Sequence, residues 1–468
     1  MSVWPLRFAE TGNGDFLFSD EAGGFFRSND GFLARYAYDD LSEWDRVFLT
    51  GRGHAFCEEG DHHYVGFASR WAKRQFVPGP LDYIILVPTL RCDLACSYCQ
   101  VSRANENARG FDWDEATLEA TLALLDGLAT TQIKIEFQGG EPLLRLDLLN
   151  LVREFCRQRF ASAEFVVCSN LQNVSDEGWT FLAAPDTHLS TSFDGDAPTH
   201  TRQRTVDPRR TDKFLANLER AVAIFGPDKV SALPTIDPNH APPPETIIAS
   251  YSRLGLRSVY LRPINYQGFA RKRFGRAGED GWADYYQRFI EALIRYNADA
   301  AAPMEEYYLS HCLRRIFRGG HHGHVDLRNP NLLGADYMVV DFDGILYPTD
   351  EARMMTRIGQ IDLSIGSVFA GLDRERVAAL NGAADNNFHE DCTLCVFQPF
   401  CGVDLIDDLS RYNRIDLPKH ETEFCRRHTA IFRKIFELIY RDDDATRRSL
   451  AAWLDIPVFD PALAPVHG

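Results

Sequence analysis

The sequence has no apolar run approaching the roughly 18 residues that a helix needs to span a bilayer, which argues against a helical membrane protein. It also has no surplus of positive charge: 50 Lys and Arg stand against 67 Asp and Glu, for a formal net charge of −17. A surface built to neutralise phosphates or anionic headgroups is therefore not expected, and neither nucleic acid nor membrane is an expected partner. The first residues, Met1 to Phe8, lack the basic patch and apolar stretch of a secretory signal. The expectation is a soluble, cytoplasmic protein. No internal repeat is visible. At 468 residues the chain is long enough to bury more than one core, and about two to four domains are expected.

What the chain does have is cysteine, eleven residues unevenly placed. In a large cytoplasmic protein, tight groups of cysteine are metal ligands before they are disulfides. Three fall within eight residues, Cys92, Cys96 and Cys99, and four more are Cys392, Cys395, Cys401 and Cys425. Cys57, Cys156, Cys168 and Cys312 stand alone and read as small buried hydrophobes. The run His321-His322-Gly323-His324 lies in a Gly-rich stretch without a partner pattern and reads as a solvated loop.

From residue 81 onward, short β-rich runs alternate with amphipathic stretches, the pattern of a parallel sheet with crossover helices. Strands are expected at 83–87, 133–137, 164–167, 189–193, 230–234 and 258–262, with helices at 113–128, opened by Asp112, and at 212–225, after Thr211. Six β/α units cannot close an eight-stranded barrel. The fold class expected is thus α/β, an open partial (β/α)6 barrel with reactive groups at the carboxyl ends of its strands. Residues 1–80 read as a small α+β module and 81–300 as the barrel core. Residues 301–440 read as an irregular domain held by metal rather than by a large core, and 441–468 as a tail with one helix at 446–454.

The first strand runs into Cys92-x3-Cys96-x2-Cys99. One loop can wrap three thiolates around a [4Fe–4S] cubane, and three ligands leave one iron open, whereas structural zinc wants a fourth protein ligand. The second strand ends in Gln138-Gly139-Gly140-Glu141-Pro142, the third in Cys168-Ser169-Asn170, and the fourth in Ser192-Phe193-Asp194-Gly195, followed by His200 and Arg204. Singly these are tight turns; in series they resemble the radical S-adenosylmethionine (SAM) superfamily. The resemblance implies that the open iron binds SAM. It implies further that Gly139, Gly140 and Glu141 meet the SAM ammonium, that Ser169, Asn170, Ser192 and Asp194 belong to the ribose-side motifs, that Arg204 meets the carboxylate, and that the Tyr98 backbone and Leu261 flank the adenine.

Cys392-x2-Cys395-x5-Cys401 with Cys425 offers four thiolates, enough to close a site for zinc or for an iron–sulfur cluster. Downstream of such a core the set resembles the SPASM domain of peptide- and protein-modifying members, whose full form holds two auxiliary clusters. Two ligands of the first are replaced here, by Thr349 in Tyr347-Pro348-Thr349-Asp350 and by Leu405. One auxiliary [4Fe–4S] cluster is the expectation. Asp350 stands where some SPASM enzymes carry a general base, and a carboxylate can remove a proton from a substrate radical; a turn residue or ion-pair partner is the alternative.

Longer runs are similar to the B-type radical SAM maturase of the His-Xaa-Ser peptide systems: Leu90-Arg91-Cys92, Cys99-Gln100-Val101-Ser102-Arg103, residues 134–144, residues 261–270, and Tyr347 to Met354. That resemblance implies hydrogen abstraction from a C–H bond of a ribosomally made precursor peptide, leading to a cross-link or other oxidation. It also implies an electron donor such as flavodoxin or ferredoxin, and companion proteins. Residues 1–80 would then bind a leader peptide by strand addition, or serve as a plain N-terminal support domain. The rival readings are a protein maturase of the sulfatase-activating kind and a non-catalytic, zinc-stabilised binding protein.

Overall fold

A computed structural model describes every residue except 13, 238, 266, 275–280 and 321–323, and no side chain of 272–274 or 326. Three members of the histidine-rich run therefore lie outside the described residues. The chain divides into two compact units: Pro78–Leu293 with Leu333–Gly382, and Met1–Val77 with Ile294–Leu332 and Ala383–Gly468.

The first unit is built on one sheet. Its strands in chain order are β1 (Tyr83–Leu86), β2 (Gln132–Phe137), β3 (Ser162–Cys168), β4 (Thr187–Ser192), β5 (Val230–Leu233), β6 (Tyr337–Val340) and β7 (Leu346–Tyr347). They lie side by side as β5-β4-β3-β2-β1-β6-β7, parallel throughout except for β7. The register sets apolar residue against apolar residue: Ile84 opposes Ile135 and Met338, Val167 opposes Phe137 and Leu189, and Leu189 opposes Val230. Parallel strands need cover on both faces, and the crossover helices that supply it include Glu115–Asp126, Leu146–Arg159 and Pro208–Phe225. Beyond β5, the sixth expected strand, 258–262, is broken into Ser258–Val259 and Arg262–Pro263, the second pairing in parallel with Thr235–Ile236, and the barrel stays open.

The structure departs from the sequence expectations in detail. The helix expected after Asp112 starts at Glu115, capped by the Asp114 side chain, which accepts from the Thr117 amide. Asp112 instead accepts from Arg91 and Thr89. The helix expected after Thr211 starts at Pro208 behind an Asp207 cap, with proline in the first turn where no donor is lost. Strand β6 was not anticipated, because a four-residue apolar run carries no readable period.

In the second unit, strands Arg7–Gly12, Asp15–Ser19 and Phe25–Asn29 form an antiparallel sheet in that order. Helices Asp30–Ala37, Glu43–Gly51 and His62–Arg74 follow, around a core of Phe18, Phe26, Phe32 and Leu49. The irregularity expected after residue 300 is concentrated around Glu390–Thr393 and Gln398–Phe400. Helices Tyr307–Phe317, Glu423–Ile439 and Asp444–Leu454 flank it and bury Leu309, Phe432, Ile435 and Trp453, an apolar core that the cysteines do not have to replace. Among the described residues, no helix is long and apolar enough to cross a membrane.

Candidate functional site

Strand β1 delivers the first cysteine loop to the carboxyl edge of the sheet. Cys92 ends a two-residue strand, Arg91–Cys92, paired with Ala104–Asn105, and the loop turns so that the Cys99 amide donates to the Cys96 carbonyl at 3.2 Å. The Leu94 amide points at the Cys92 Sγ at 3.4 Å and Asn170 Nδ2 at 3.7 Å. Cys92 lies within electrostatic reach of Cys96, and Cys96 of Cys99. Burial pushes the Cys92 thiol up, and pushes Cys96 up to about 11 with Arg204 pulling the other way. Such thiols deprotonate when a metal takes their charge.

The two glycines after β2 are required by this loop. Gly139 adopts a φ of +131°, and a Cβ there would lie 2.2 Å from the Thr89 carbonyl oxygen; a Cβ on Gly140 would lie 2.2 Å from that of Arg91. The Gly140 and Glu141 amides close the gap, Gly140 N donating to Thr89 O at 3.0 Å and Glu141 N to Arg91 O at 2.8 Å. The glycine turn thus locks the cysteine loop backbone.

Glu141 is buried, and its carboxylate accepts from the Asn170 amide at 2.7 Å and the Leu143 amide at 3.1 Å. Burial nevertheless pushes it up to about 7. Asn170 also donates through Nδ2 to Asp93 at 2.7 Å, and the Ser169 hydroxyl accepts from the Leu171 amide at 3.1 Å. These contacts tie the end of β3 to the cysteine loop. Ser192, half-buried, ends β4, and Leu261 is buried just before Arg262–Pro263.

Asp194 is fully buried. It accepts from the Tyr98 hydroxyl at 2.7 and 2.8 Å, from Arg204 Nε at 3.0 Å and from the Thr235 amide at 3.2 Å. The Arg204 guanidinium also lies over the Tyr98 ring at 5.0 Å. Burial works against the Arg204 charge, but Asp194 and Tyr98 outweigh it and raise its pKa. With Nε spent on Asp194, the two terminal nitrogens of Arg204 have no hydrogen-bond partner among the described residues and can grip an anion in fork geometry. His200 is buried flat against Phe214, 4.2 Å between centroids, and burial keeps it neutral.

Asp350 opens the helix Asp350–Arg357, which Thr349 caps through its hydroxyl, accepting from the Ala352 amide at 3.0 Å. Arg353, wholly buried, contacts Asp350 Oδ1 through Nε at 2.8 Å and Nη2 at 2.7 Å, and faces Asp341 at 3.6 Å. Asp350 is therefore an ion-pair partner, with its second oxygen unspent among the described residues. Sequence reasoning missed a polar row on the sheet nearby. Glu136 on β2 accepts from the Tyr83 hydroxyl at 2.5 Å, Gln138 at 2.6 Å and the Cys168 thiol at 3.3 Å. Asp350 adds to the burial that pushes Cys168 up. The alternation Lys134-Ile135-Glu136-Phe137-Gln138, with polar residues on the second face of a core strand, is the signal that points to it.

The second cysteine set belongs to the other unit. Successive turns carry Cys392, Cys395 and Cys401, with Cys395 N donating to Cys392 O and Cys401 N to Phe397 O. Cys425 occupies the first turn of Glu423–Ile439, behind its Thr422 cap, where the helix dipole favours a thiolate. Each of Cys392, Cys401 and Cys425 lies within electrostatic reach of others in the set, and burial raises all four, Cys392 to about 12. The N-terminal sheet braces the loop: Arg7 Nε donates to Thr393 O at 2.6 Å and the Ser19 hydroxyl to Val396 O at 2.6 Å. The positions of the two replaced ligands are otherwise engaged, Thr349 as a helix cap and Leu405 as a buried helix residue.

Among the described residues, no three or more His, Cys, Asp and Glu side chains gather as a single-ion site. The donor chemistry of the first loop, three thiols, fits an iron–sulfur cluster with one open iron, and the four thiols of the other segment are enough to close a site for zinc or for an iron–sulfur cluster.

The Radical SAM superfamily model matches residues 86–242. A GTP 3',8-cyclase of Sinorhizobium medicae is 26% identical over 47% of this chain and 60% of its own length, and the chain spans less than two thirds of the length of the curated relatives it matches. Among solved structures, native anSMEcpe with bound AdoMet and Cp18Cys peptide superposes with a TM-score of 0.60 at 15% identity, over 76% of this chain and 96% of that one. Streptococcus suis SuiB superposes with a TM-score of 0.50 at 12% identity, over 88% and 97%. These likenesses carry the fold.

Proposed function

With residues 86–242 a radical SAM domain, we propose that the chain is a peptide-modifying enzyme that cleaves SAM reductively and oxidises a C–H bond of a ribosomally made precursor peptide of the His-Xaa-Ser type. The observation that carries the reading is the three-thiol loop locked by Gly139 and Gly140 beside Glu141 and Arg204.

When bound, the cluster and SAM supply a 5′-deoxyadenosyl radical that takes a hydrogen atom. Cys92, Cys96 and Cys99 hold the cluster. Glu141, as a carboxylate, accepts from the SAM ammonium, and Arg204, oriented by Asp194, takes its carboxylate. Tyr98 and Leu261 border the adenine, with Ser169, Asn170 and Ser192 toward the ribose. Burial of Cys92, Tyr98, Glu141, Asp194 and Leu261 keeps water from this side of the site and helps position the reacting carbon. Asp350 offers its unspent oxygen to the proton lost from the substrate, and Cys392, Cys395, Cys401 and Cys425 hold one auxiliary [4Fe–4S] cluster as electron acceptor.

In this reading residues 1–80 bind the leader, 81–300 perform the chemistry, 301–440 carry the auxiliary cluster, and 441–468 are a tail. A flavodoxin or ferredoxin supplies electrons in the reducing cytoplasm. The anSMEcpe structure holds AdoMet together with a peptide, which supports a peptide substrate. The engagement of Thr349 and Leu405 in the fold speaks against a two-cluster protein maturase.

The test is anaerobic reconstitution followed by incubation with SAM, a strong reductant and the precursor peptide encoded beside the gene. About eight irons per chain, 5′-deoxyadenosine and a peptide lighter by about two hydrogens are expected. Zinc in place of iron, with no 5′-deoxyadenosine, leaves the binding-protein reading.

A further inference from the structure

The outer edge of strand Phe25–Asn29 is occupied by the chain itself. The Arg27 amide donates to Pro465 O at 2.9 Å and the His467 amide to Arg27 O at 2.8 Å, a parallel bridge between Arg27 and Val466. The Ser28 hydroxyl adds a bond to His467 O at 2.8 Å, and the Tyr440 hydroxyl one to Pro465 O at 3.1 Å.

The His467 side chain enters a pocket in the helices behind this edge. Its ring stacks on Phe48 at 4.3 Å and meets Phe32 edge-on at 5.2 Å. Nε2 bonds Asp45 Oδ1 at 2.7 Å, and both partners are buried. Asp45 is a prepared carboxylate: Arg35 grips it with two nitrogens at 2.7 and 2.8 Å, and Ser42 adds its amide and hydroxyl. Arg35 and the other donors hold it well below the usual carboxylate range against the cost of burial. The box suits an imidazole in shape and in charge.

The occupant fits imperfectly. His467 Nδ1 is buried without a partner among the described residues, a defect that a segment with another path past the edge would cure. The approach is exposed at Pro457, Val458 and residues 460–463, and Phe459, buried against Phe317, is its anchor.

We propose that this edge and its Asp45–Phe48–Phe32 pocket form a binding site for an extended peptide segment bearing a histidine, and that Pro465–His467 fills it in cis until such a segment displaces it. Main-chain bonds to Arg27 give affinity, and the imidazole gives specificity. This rests on the reading of a peptide substrate, but its test measures binding without turnover. A site that fails leaves the peptide chemistry standing, and a site that binds in a chain unable to cleave SAM leaves only the site.

The probe is a labelled synthetic peptide with the sequence of residues 462–468, beside the same peptide with alanine for histidine. In the full reconstituted chain, His467→Ala is expected to bind the histidine peptide at least about tenfold more tightly than the wild type does, and the alanine peptide no better. In the wild-type chain, which sidesteps any folding defect of the variant, saturating histidine peptide is expected to speed amide exchange of residues 464–468. Equal binding by variant and wild type, equal binding of both peptides, or unchanged exchange overturns the proposal.

Discussion

In the proposed reading the two cysteine sets solve the same ligand problem by different means. Cys92, Cys96 and Cys99 sit on one loop, and the clamp on that loop is backbone: carbonyls of Thr89 and Arg91 against two glycines. The set from Cys392 to Cys425 is spread over 34 residues, and its support comes from side chains far off in sequence, Arg7 and Ser19 from the N-terminal sheet and the Thr422 cap from a helix. A three-ligand loop must present an open iron, so rigidity of the backbone matters most. A four-ligand set is closed, and what remains to be adjusted is the charge around it. Half-buried Arg204 and buried Asp194 stand beside the first set, and Arg7, within electrostatic reach of Cys392 and Cys395, beside the second. His428 adds a contact at 3.4 Å between its Nδ1 and Cys401 Sγ.

The comparison breaks most sharply at the ligands. Cys96→Ala is expected to cut 5′-deoxyadenosine formation by at least ~10³-fold and to remove about four irons, by liquid chromatography and iron analysis. Cys401→Ala is expected to remove a similar amount of iron and to lower peptide product about tenfold or more while SAM cleavage continues. Equal loss of SAM cleavage in both variants would mean that the two sets are not separable. Gly140→Ala tests the backbone clamp: with Arg91 O in the way, a destabilisation of ~1–3 kcal/mol and a lower melting temperature are expected.

A pH series probes Glu141. Its folded pKa, about 7, lies above the ordinary 4.5, so the fold favours the protonated form. Its contribution to stability is therefore present at low pH and declines as pH rises from 4.5 through about 7. Binding a SAM ammonium calls for the opposite state, so SAM affinity is expected to rise about tenfold between about pH 6 and pH 8, and Glu141→Gln to flatten that profile in calorimetry. The smallest effect is Arg7→Gln. Loss of a buried cation beside Cys392 and Cys395 is expected to lower the midpoint potential of the auxiliary cluster on the order of tens of millivolts in an EPR-monitored titration.

Much of the first unit is legible from residue order, because its information is local. A parallel strand buried on both faces reads as an apolar run, and a turn that must approach another backbone demands glycine, as at Gly139 and Gly140. Element ends were less legible: Asp112 and Asp114 are both plausible caps, and only the packed structure commits Asp112 to Arg91. Strand β6 was invisible because its four-residue apolar run has no readable period, and its pairing with β1, some 250 residues earlier, exists only in the folded chain. Asp350 could be flagged from its neighbours, yet its bond to Arg353 depends on a helix register that no motif encodes.

The sequence alone determined which atoms are available to bind metal, because ligand type and short spacing are properties of a few consecutive residues. It likewise determined the parallel α/β class, through the period of its apolar residues. Only the tertiary structure decided that Arg7 and Ser19 brace the second cysteine loop, that Asp194 spends itself on Tyr98 and Arg204, and that His467 lies against Asp45. Those pairings join residues tens to hundreds of positions apart, and contacts of that range exist only once the chain has closed the loops between them.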